Sequence, residues 1–343
     1  MAPEAEIAKR EAVIITGRVH PGETVSSFII EGILSFLVGD SEIANKLRSL
    51  YVFKIVPMLN PDGVVLGNYR CSLSGQDLNR QWIGATARLF PEIFYTKQML
   101  NKTLASRKIF FFLDVHGHSR KKNVFMYGCH NKNTDKKNAE KLFPLVFSKT
   151  NSSFSIDDCN FNIQKDKEST GRVVVRREYN VLNSYTLEAS FCGPNIGRYK
   201  DSHFTPNQLR ESGKDFCIAL SRMADNKIKL DLLKVLQSSI IPSHSEIENI
   251  LKDYSSINSE TEEIENNEIL HQKAIKTELK LSRKSKKMKT EMKSFSNLET
   301  LSLTHTAGIS NKRKDHFKFA PKPHSTTPFF RTKSIIPKSA GKM

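Results

Sequence analysis

The first 225 residues alternate short apolar runs with amphipathic stretches and turn signals, a pattern typical of a packed domain. The apolar runs predict five strands, at residues 12–16, 51–56, 109–115, 124–127 and 185–188. Apolar side chains at helical spacing predict helices at residues 24–38, 92–106, 136–149 and 206–223. Strands that alternate with helices favour an α/β fold, in which helices cover both faces of a sheet.

Turn signals and polar side chains follow the first two predicted strands. His20-Pro21-Gly22 and Asn60-Pro61-Asp62-Gly63 combine proline and glycine, and both are predicted to be tight turns. In open α/β sheets the active groups lie beyond the strand ends. The polar residues after these strands are therefore candidates for a functional site.

The pattern changes after Asp225. Residues 226–268 carry 4 basic and 9 acidic side chains, and residues 269–343 carry 18 basic and 4 acidic ones, within a chain of net charge +17. The second segment therefore has a net charge of +14 and suits an acidic partner.

Few large apolar residues follow Asp225, so a second core is not expected there. We predict a domain at residues 1–225 and a Lys-rich, mostly disordered tail at 226–343, with one helix at 228–237 and another near 270–288. A solvated linker is the plain interpretation of such a tail, and its phenylalanines also leave nucleic-acid contact open.

Composition excludes several classes of protein. The longest apolar runs, such as Ile109 to Leu113, have about five residues, against the roughly 20 that a membrane-spanning helix needs. Neither a secretory signal pattern nor a Cys-x-x-Cys pair is present, and the five cysteines are widely spaced. A disulfide framework and a thiolate zinc site are therefore not expected. We expect a cytoplasmic location without membrane attachment.

Three side chains could bind a catalytic metal ion. His20 and Glu23 lie three residues apart on a predicted turn, and His116 follows a separate strand. Two histidines and one carboxylate form a known zinc site that leaves a position open for water. The alternatives are a surface turn without a ligand and a buried structural histidine.

Arginine and glutamate side chains near these strand ends add further candidates. Arg70 and the Asn79-Arg80 pair follow the second strand, and a guanidinium group matches a carboxylate. Glu188 closes an apolar strand, where a carboxylate near metal-bound water can accept its proton. A solvated surface for the arginines and a structural ion pair for Glu188 remain the alternatives.

Several motifs occur in one order and carry a family resemblance. They are His20-Pro21-Gly22-Glu23, Asn60-Pro61-Asp62-Gly63-Val64, Gly67-Asn68-Tyr69-Arg70-Cys71-Ser72-Leu73, Asp77-Leu78-Asn79-Arg80, His116-Gly117-His118-Ser119-Arg120, Tyr127-Gly128-Cys129 and Asn183-Ser184-Tyr185-Thr186-Leu187-Glu188. From about residue 12 to 223 the chain resembles the cytosolic carboxypeptidases, a branch of the carboxypeptidase A-like zinc peptidases. That resemblance implies a three-layer α/β/α domain with a mixed central sheet and one zinc ion.

The resemblance also implies a role for each matched residue. His20, Glu23 and His116 match the zinc ligands, and Glu188 matches the general base that activates the metal-bound water. Arg70 matches the arginine that stabilises the oxyanion. Asn79 and Arg80 match the pair that grips the substrate's C-terminal carboxylate, and Arg172 lies where this branch carries a basic residue for a glutamate side chain.

Only 19 residues precede His20, whereas members of this family carry a β-rich domain and the first strands of the sheet before that position. The catalytic domain is therefore expected to be N-terminally incomplete, with an open sheet edge.

Two classes of function follow. The first is a zinc carboxypeptidase that removes C-terminal glutamates from acidic protein tails such as those of tubulin, in the cytoplasm and at the cytoskeleton or cilium. The second is an inactive homologue that binds microtubules or nucleic acid through its basic tail, with nucleic acid the less expected partner. Within the enzyme class, a zinc amidohydrolase of small acylated amino acids is the alternative.

Overall fold

A mixed β-sheet organises the computed structural model, which describes residues 4–131 and 137–237. Its strands are β1 (Glu11–Gly17), β2 (Tyr51–Val56), β3 (Ile109–His118), β4 (Val124–Tyr127) and β5 (Asn183–Ser190). They lie in the order β2-β1-β3-β5-β4; β4 runs antiparallel to β5, and the other neighbours are parallel. The predicted α/β fold with a mixed sheet is confirmed.

The helices are α1 (Glu4–Lys9), α2 (Val25–Val38), α3 (Glu42–Leu50), α4 (Pro61–Leu66), α5 (Pro91–Ser106), α6 (Leu142–Ser148), α7 (Gly171–Glu178), α8 (Pro206–Met223) and α9 (Asn226–Gln237). Short 3-10 segments occur at Leu78–Arg80, Ala139–Lys141 and Lys165–Lys167. No helix in the described part of the chain has the length and apolar character needed to cross a bilayer.

Side chains alternate between the two faces of the sheet, because successive residues of a strand point to opposite sides. On one face Val13, Phe111 and Leu187 are buried in a core that includes residues of α2, α6 and α8. On the other, Ile14 and Phe112 are buried in a second core with residues of α5 and α7. Helices on both faces give the three layers.

We call the first surface the apolar face, formed by Val13, Ile15, Phe111, Leu113, Val115, Tyr185, Leu187 and Ala189. We call the second the site face, formed by Ile14, Thr16, Phe112, Asp114, His116, Ser184, Thr186 and Glu188. The site face is apolar near the start of the strands and polar towards their carboxyl ends. Its polar half is where the candidate residues lie.

The segment predicted as a turn at Asn60-Pro61-Asp62-Gly63 instead begins helix α4, so that prediction is wrong. The Asn60 side chain accepts a hydrogen bond from the Gly63 backbone N–H at 3.0 Å, and Pro61 occupies the first helical position. Both features start helices as readily as turns. Gly67, with a φ of 75°, ends the helix after six residues.

Other boundaries differ less. The helix predicted at 136–149 is a 3-10 turn followed by α6, while α9 confirms the helix predicted at 228–237. Ile228 and Leu232 of α9 are buried in the core. The helix predicted at 270–288 and the rest of the tail lie outside the described residues. Within those residues β2 pairs with β1 alone, so it forms one edge of the sheet.

Candidate active site

The polar half of the site face brings together residues from three parts of the sequence. His116 and Glu188 are direct partners in the parallel pairing of β3 and β5, so their side chains point to the same side. The turn after β1 carries His20 and Glu23 to the same place. All four side chains are buried.

His20, Glu23 and His116 form a tight cluster. The Nδ1 atom of His20 lies 2.8 Å from Glu23 Oε1, and the Nδ1 atom of His116 lies 3.0 Å from Glu23 Oε2. The two Nδ1 atoms are 3.2 Å apart. Potential ligand atoms of all three residues therefore lie within 4.8 Å of one another, as in a metal site.

The turn that carries His20 and Glu23 is fixed from two sides. Gly22 donates its backbone N–H to the Tyr69 carbonyl at 2.7 Å, and a Cβ at position 22 would lie 2.6 Å from the Tyr69 ring. Only glycine allows this close approach, which holds the turn against the loop that carries Arg70. Arg18, whose φ is 55°, donates from Nε to the Pro21 carbonyl at 2.9 Å.

Charges in the cluster favour ionised groups despite their burial. Burial opposes ionisation of Glu23, but the nearby imidazoles of His116 and His20 hold the pKa of Glu23 well below its usual range. Burial likewise disfavours charged His116, but the Asp114 and Glu23 carboxylates raise the pKa of His116 well above its usual range. Carboxylates that stabilise a protonated imidazole would also stabilise a bound cation.

Asp77 connects the cluster to two arginines. Its Oδ1 lies 3.1 Å from His20 Nε2, and its Oδ2 accepts a hydrogen bond from Arg70 Nε at 2.9 Å. Arg80 Nη1 is 3.9 Å from the same carboxylate. Burial raises the pKa of Asp77, but His20 and the two arginines lower it well below its usual range. Arg70 also reaches within 4.0 Å of Glu23 Oε1.

Glu188 has the environment of a proton acceptor. Glu188 is 9% exposed, and its Oε2 has no hydrogen-bond partner among the described residues. Burial raises the pKa of Glu188 to about 7, with His116 opposing the shift and Glu23 adding to it. A carboxylate with a pKa near 7 can both accept and return a proton under neutral conditions.

Arg172, Asn79 and Trp82 meet at the start of α7. Asn79 accepts the Gly171 backbone N–H at 2.9 Å through Oδ1, and its Nδ2 lies 3.5 Å from His116 Nε2. A Cβ at Gly171 would lie 2.8 Å from the Trp82 indole, so glycine allows α7 to begin directly against this loop.

The buried Arg172 guanidinium lies 5.7 Å from the centre of the Tyr127 ring, and within residues 4–131 and 137–237 its Nε has no hydrogen-bond partner. An arginine in this state can bind an anion without first breaking an ion pair. Asn79 and Arg172 thus lie close together, because the Asn79 side chain accepts a hydrogen bond from Gly171, the residue before Arg172.

The donor set fits a zinc ion. Two imidazole nitrogens and one carboxylate make up a three-residue catalytic zinc set, and both histidines direct Nδ1 into the cluster while Nε2 faces an aspartate. The carboxylate partners fix which nitrogen is free to bind metal. His118 lies apart from this set: its Nδ1 accepts hydrogen bonds from the backbone N–H groups of Arg120 and Lys121.

Asp77, Asp114 and Arg18 were not assigned a role from the sequence. Asp77 lies inside a quoted motif, and Asp114 lies two residues before His116, which places both side chains on one face of a strand. Strand periodicity is thus a signal that could have identified Asp114. The left-handed backbone at Arg18 has no such signal, because nothing in the residue type indicates it.

Comparison with known families matches residues 2–215 to the zinc carboxypeptidase family, Peptidase_M14. Cytosolic carboxypeptidase 3 of Mus musculus is 47% identical over 223 residues, covering 64% of this chain and 22% of the relative. Cytosolic carboxypeptidase 2 of Mus musculus is 48% identical over 221 residues, covering 64% and 26%. The chain therefore spans about a quarter of the length of these curated relatives.

Solved structures support the same fold. A metallo-carboxypeptidase from Burkholderia cenocepacia superposes with a TM-score of 0.56 at 25% identity, covering 64% of this chain and 58% of that one. A metallo-carboxypeptidase from Pseudomonas aeruginosa gives a TM-score of 0.55 at 22% identity, covering 66% and 59%. At that identity the second match is informative about the fold alone.

Proposed function

Because the chain belongs to the zinc carboxypeptidase family, we propose that it is a metallocarboxypeptidase that removes C-terminal glutamates from acidic protein tails. The observation that carries the proposal is the convergence of His20, Glu23 and His116 beside the buried carboxylate of Glu188. The chain's similarity to the cytosolic carboxypeptidases supports it.

His20 and His116 through Nδ1, and Glu23 through its carboxylate, would hold one zinc ion. When bound, zinc acts as a Lewis acid and lowers the pKa of a bound water. Glu188 accepts a proton from the attacking water and returns it to the leaving amine. Burial supports this role, because it brings the pKa of Glu188 to about 7.

Arginines supply the binding groups. Arg70, anchored by Asp77, is near enough to Glu23 to donate to an oxyanion that forms beside the metal ligands. Arg80 and Asn79 would bind the substrate's terminal carboxylate, which is the group that defines an exopeptidase substrate. Arg172 is buried, and no described residue is a hydrogen-bond partner of its Nε, so it suits the side-chain carboxylate of a terminal glutamate.

The net charge of +14 in residues 269–343 would attract an acidic protein surface. Glutamate-rich tails such as those of tubulin are the partner we propose, with action in the cytoplasm at microtubules. Nucleic acid is the alternative partner for the same charge.

The test measures free glutamate released from a peptide that ends in several glutamates. Full-length, zinc-loaded protein is compared with the same protein after chelation, and a peptide that ends in glutamines serves as the control substrate. The proposal predicts release of glutamate that chelation abolishes and little release of glutamine. Microtubule binding without any release of glutamate would instead support the inactive binding module, and equal release of glutamine would overturn the role of Arg172.

A further inference from the structure

The buried carboxylate of Asp114 lies directly behind a candidate metal ligand. Asp114 and His116 are two residues apart on β3 and share the site face. The distance from His116 Nε2 to Asp114 Oδ2 is 2.7 Å, and Asp114 is completely buried. Because the other ring nitrogen of His116 faces Glu23, Asp114 contacts the side of the ring that points away from the cluster.

Thr16 holds the other oxygen of this carboxylate. Thr16 on β1 is the direct partner of Asp114 in the strand pairing, and its hydroxyl donates to Asp114 Oδ1 at 2.7 Å. Thr16 is also completely buried. Each oxygen of the Asp114 carboxylate therefore has its own partner, so the plane of the carboxylate is fixed by two neighbouring strands.

When Nδ1 of His116 binds a metal ion, the contact with Asp114 favours the tautomer that carries its proton on Nε2. An imidazole that donates Nε2–H to a carboxylate presents the lone pair of Nδ1, and Nδ1 is the atom that faces Glu23 and His20. A carboxylate in this position also makes the imidazole a stronger ligand.

Asp77 and Asp114 differ in a way that points to separate tasks. The Asp77 side chain is 19% exposed and is shared among His20, Arg70 and Arg80. Asp114, in contrast, forms no ion pair with a lysine or arginine of the described residues; its ionic partner there is His116. The negative charge of Asp114 is therefore directed at one imidazole.

We propose that Thr16 and Asp114 are positioning residues, in which a hydrogen-bond chain from Thr16 through Asp114 to His116 sets the orientation and tautomer of His116 for metal binding. The inference rests on the proposed metal site and goes beyond it. It gives Thr16 and Asp114 a role in metal binding although neither side chain would contact the metal or the substrate.

The test measures the zinc dissociation constant of the full chain by competition with a chromogenic chelator. Asp114→Asn keeps the shape of the side chain and removes its charge, and it is expected to weaken zinc binding about 10- to 100-fold. Thr16→Val is expected to weaken it by a smaller factor, while Thr16→Ser, which keeps the hydroxyl, is expected to retain wild-type affinity.

Thr186 supplies the matched control. It flanks Asp114 on β5 but donates no hydrogen bond to it in the described residues. Thr186→Val should therefore leave zinc affinity unchanged. The double variant Thr16→Val/Asp114→Asn should bind zinc no more weakly than Asp114→Asn alone, because the hydroxyl acts through the carboxylate. Additive losses of zinc affinity in the double variant would contradict the proposed hydrogen-bond chain.

Circular dichroism of each metal-free variant checks its fold. If Asp114→Asn does not fold, the comparison of Thr16→Val with Thr16→Ser and Thr186→Val still decides the question. Wild-type affinity in Thr16→Val would overturn the inference while leaving the metal site intact. Absence of zinc binding by the wild-type protein would instead overturn the proposed function.

Discussion

The two faces of the central sheet are built from the same strands and serve different ends. On β5, Leu187 points into the apolar face and is completely buried in the larger core. Its neighbour Glu188 points into the site face, where it is buried and its Oε2 has no partner in the described part of the chain. One face lowers the free energy of the folded state by packing, while the other keeps buried polar groups that packing alone would exclude.

The alternation of side chains along each strand therefore places residues that stabilise the fold on one face and residues of the candidate site on the other. A substitution at one position should affect packing, and a substitution at the next should affect the site. Because adjacent residues of a strand lie on opposite faces, a substitution on the site face can be compared with one at the neighbouring position on the apolar face. The variants below use this relation, from the largest expected effect to the smallest.

Replacing Glu188 should have the largest effect on activity. Glu188→Gln keeps the size of the side chain but removes the proton acceptor, and such groups contribute about 10²- to 10⁴-fold to rates. We expect kcat to fall by a factor in that range, while the zinc dissociation constant changes little. The measurement is glutamate release at saturating peptide, beside zinc binding on the same sample. Retention of near wild-type kcat would exclude Glu188 as the base.

Replacing Leu187 should have the opposite signature. Leu187→Ala leaves a cavity in the apolar face, and buried Leu-to-Ala changes cost about 2–5 kcal/mol. The free energy of unfolding should fall by that amount in urea titrations, whereas zinc affinity and kcat per folded molecule should stay near wild type. A selective loss of kcat in a protein of unchanged stability would show that the faces are not separable.

The raised pKa of Glu188 predicts a pH dependence of stability in the metal-free protein. Between its ordinary pKa near 4.5 and its folded value of about 7, the folded state binds more protons than the unfolded state. The unfolding free energy contributed by this group should therefore fall, by on the order of 3 kcal/mol, as pH rises through that range.

Glu188→Gln isolates this effect, because Glu23, Asp77 and His116 titrate in both proteins. We expect the stability difference between wild type and Glu188→Gln to change across pH 4.5 to 7. A difference that stays constant with pH would show that Glu188 is not desolvated.

The smallest effect concerns the backbone at Arg18, beside the site face. Its left-handed conformation costs a side-chain-bearing residue about 1 kcal/mol relative to glycine. Arg18→Ala and Arg18→Gly both remove the hydrogen bond to Pro21, so Arg18→Gly should be the more stable of the two by about 1 kcal/mol in urea titrations. Equal stability, or the reverse order, would contradict a strained backbone at this position.

The periodicity of the sequence predicted most of the fold. All five strands and the helices α2, α5, α8 and α9 fall where apolar spacing indicates. Helix α4 was misassigned because Asn60 and Pro61 start turns and helices alike. Helices α1, α3 and α7 were not predicted from the sequence.

The candidate site divides in the same manner. His20, Glu23, His116 and Glu188 were selected from motifs and strand ends, and the structure brings them together. The Thr16 hydroxyl could not be found from sequence, because its link to Asp114 depends on the register of β1 against β3. Long-range register is set by the packing of the whole sheet, which no local pattern contains.

Zinc uptake by the metal-free, full-length chain tests the central claim most directly. Calorimetric titration should show one zinc ion bound per wild-type chain, and His116→Ala and Glu23→Ala should each lose most of that affinity. Leu187→Ala, on the other face, should still bind one ion per folded chain. Equal uptake by the wild type and by both ligand variants, or no uptake by the wild type, would contradict the metal site on which the account rests.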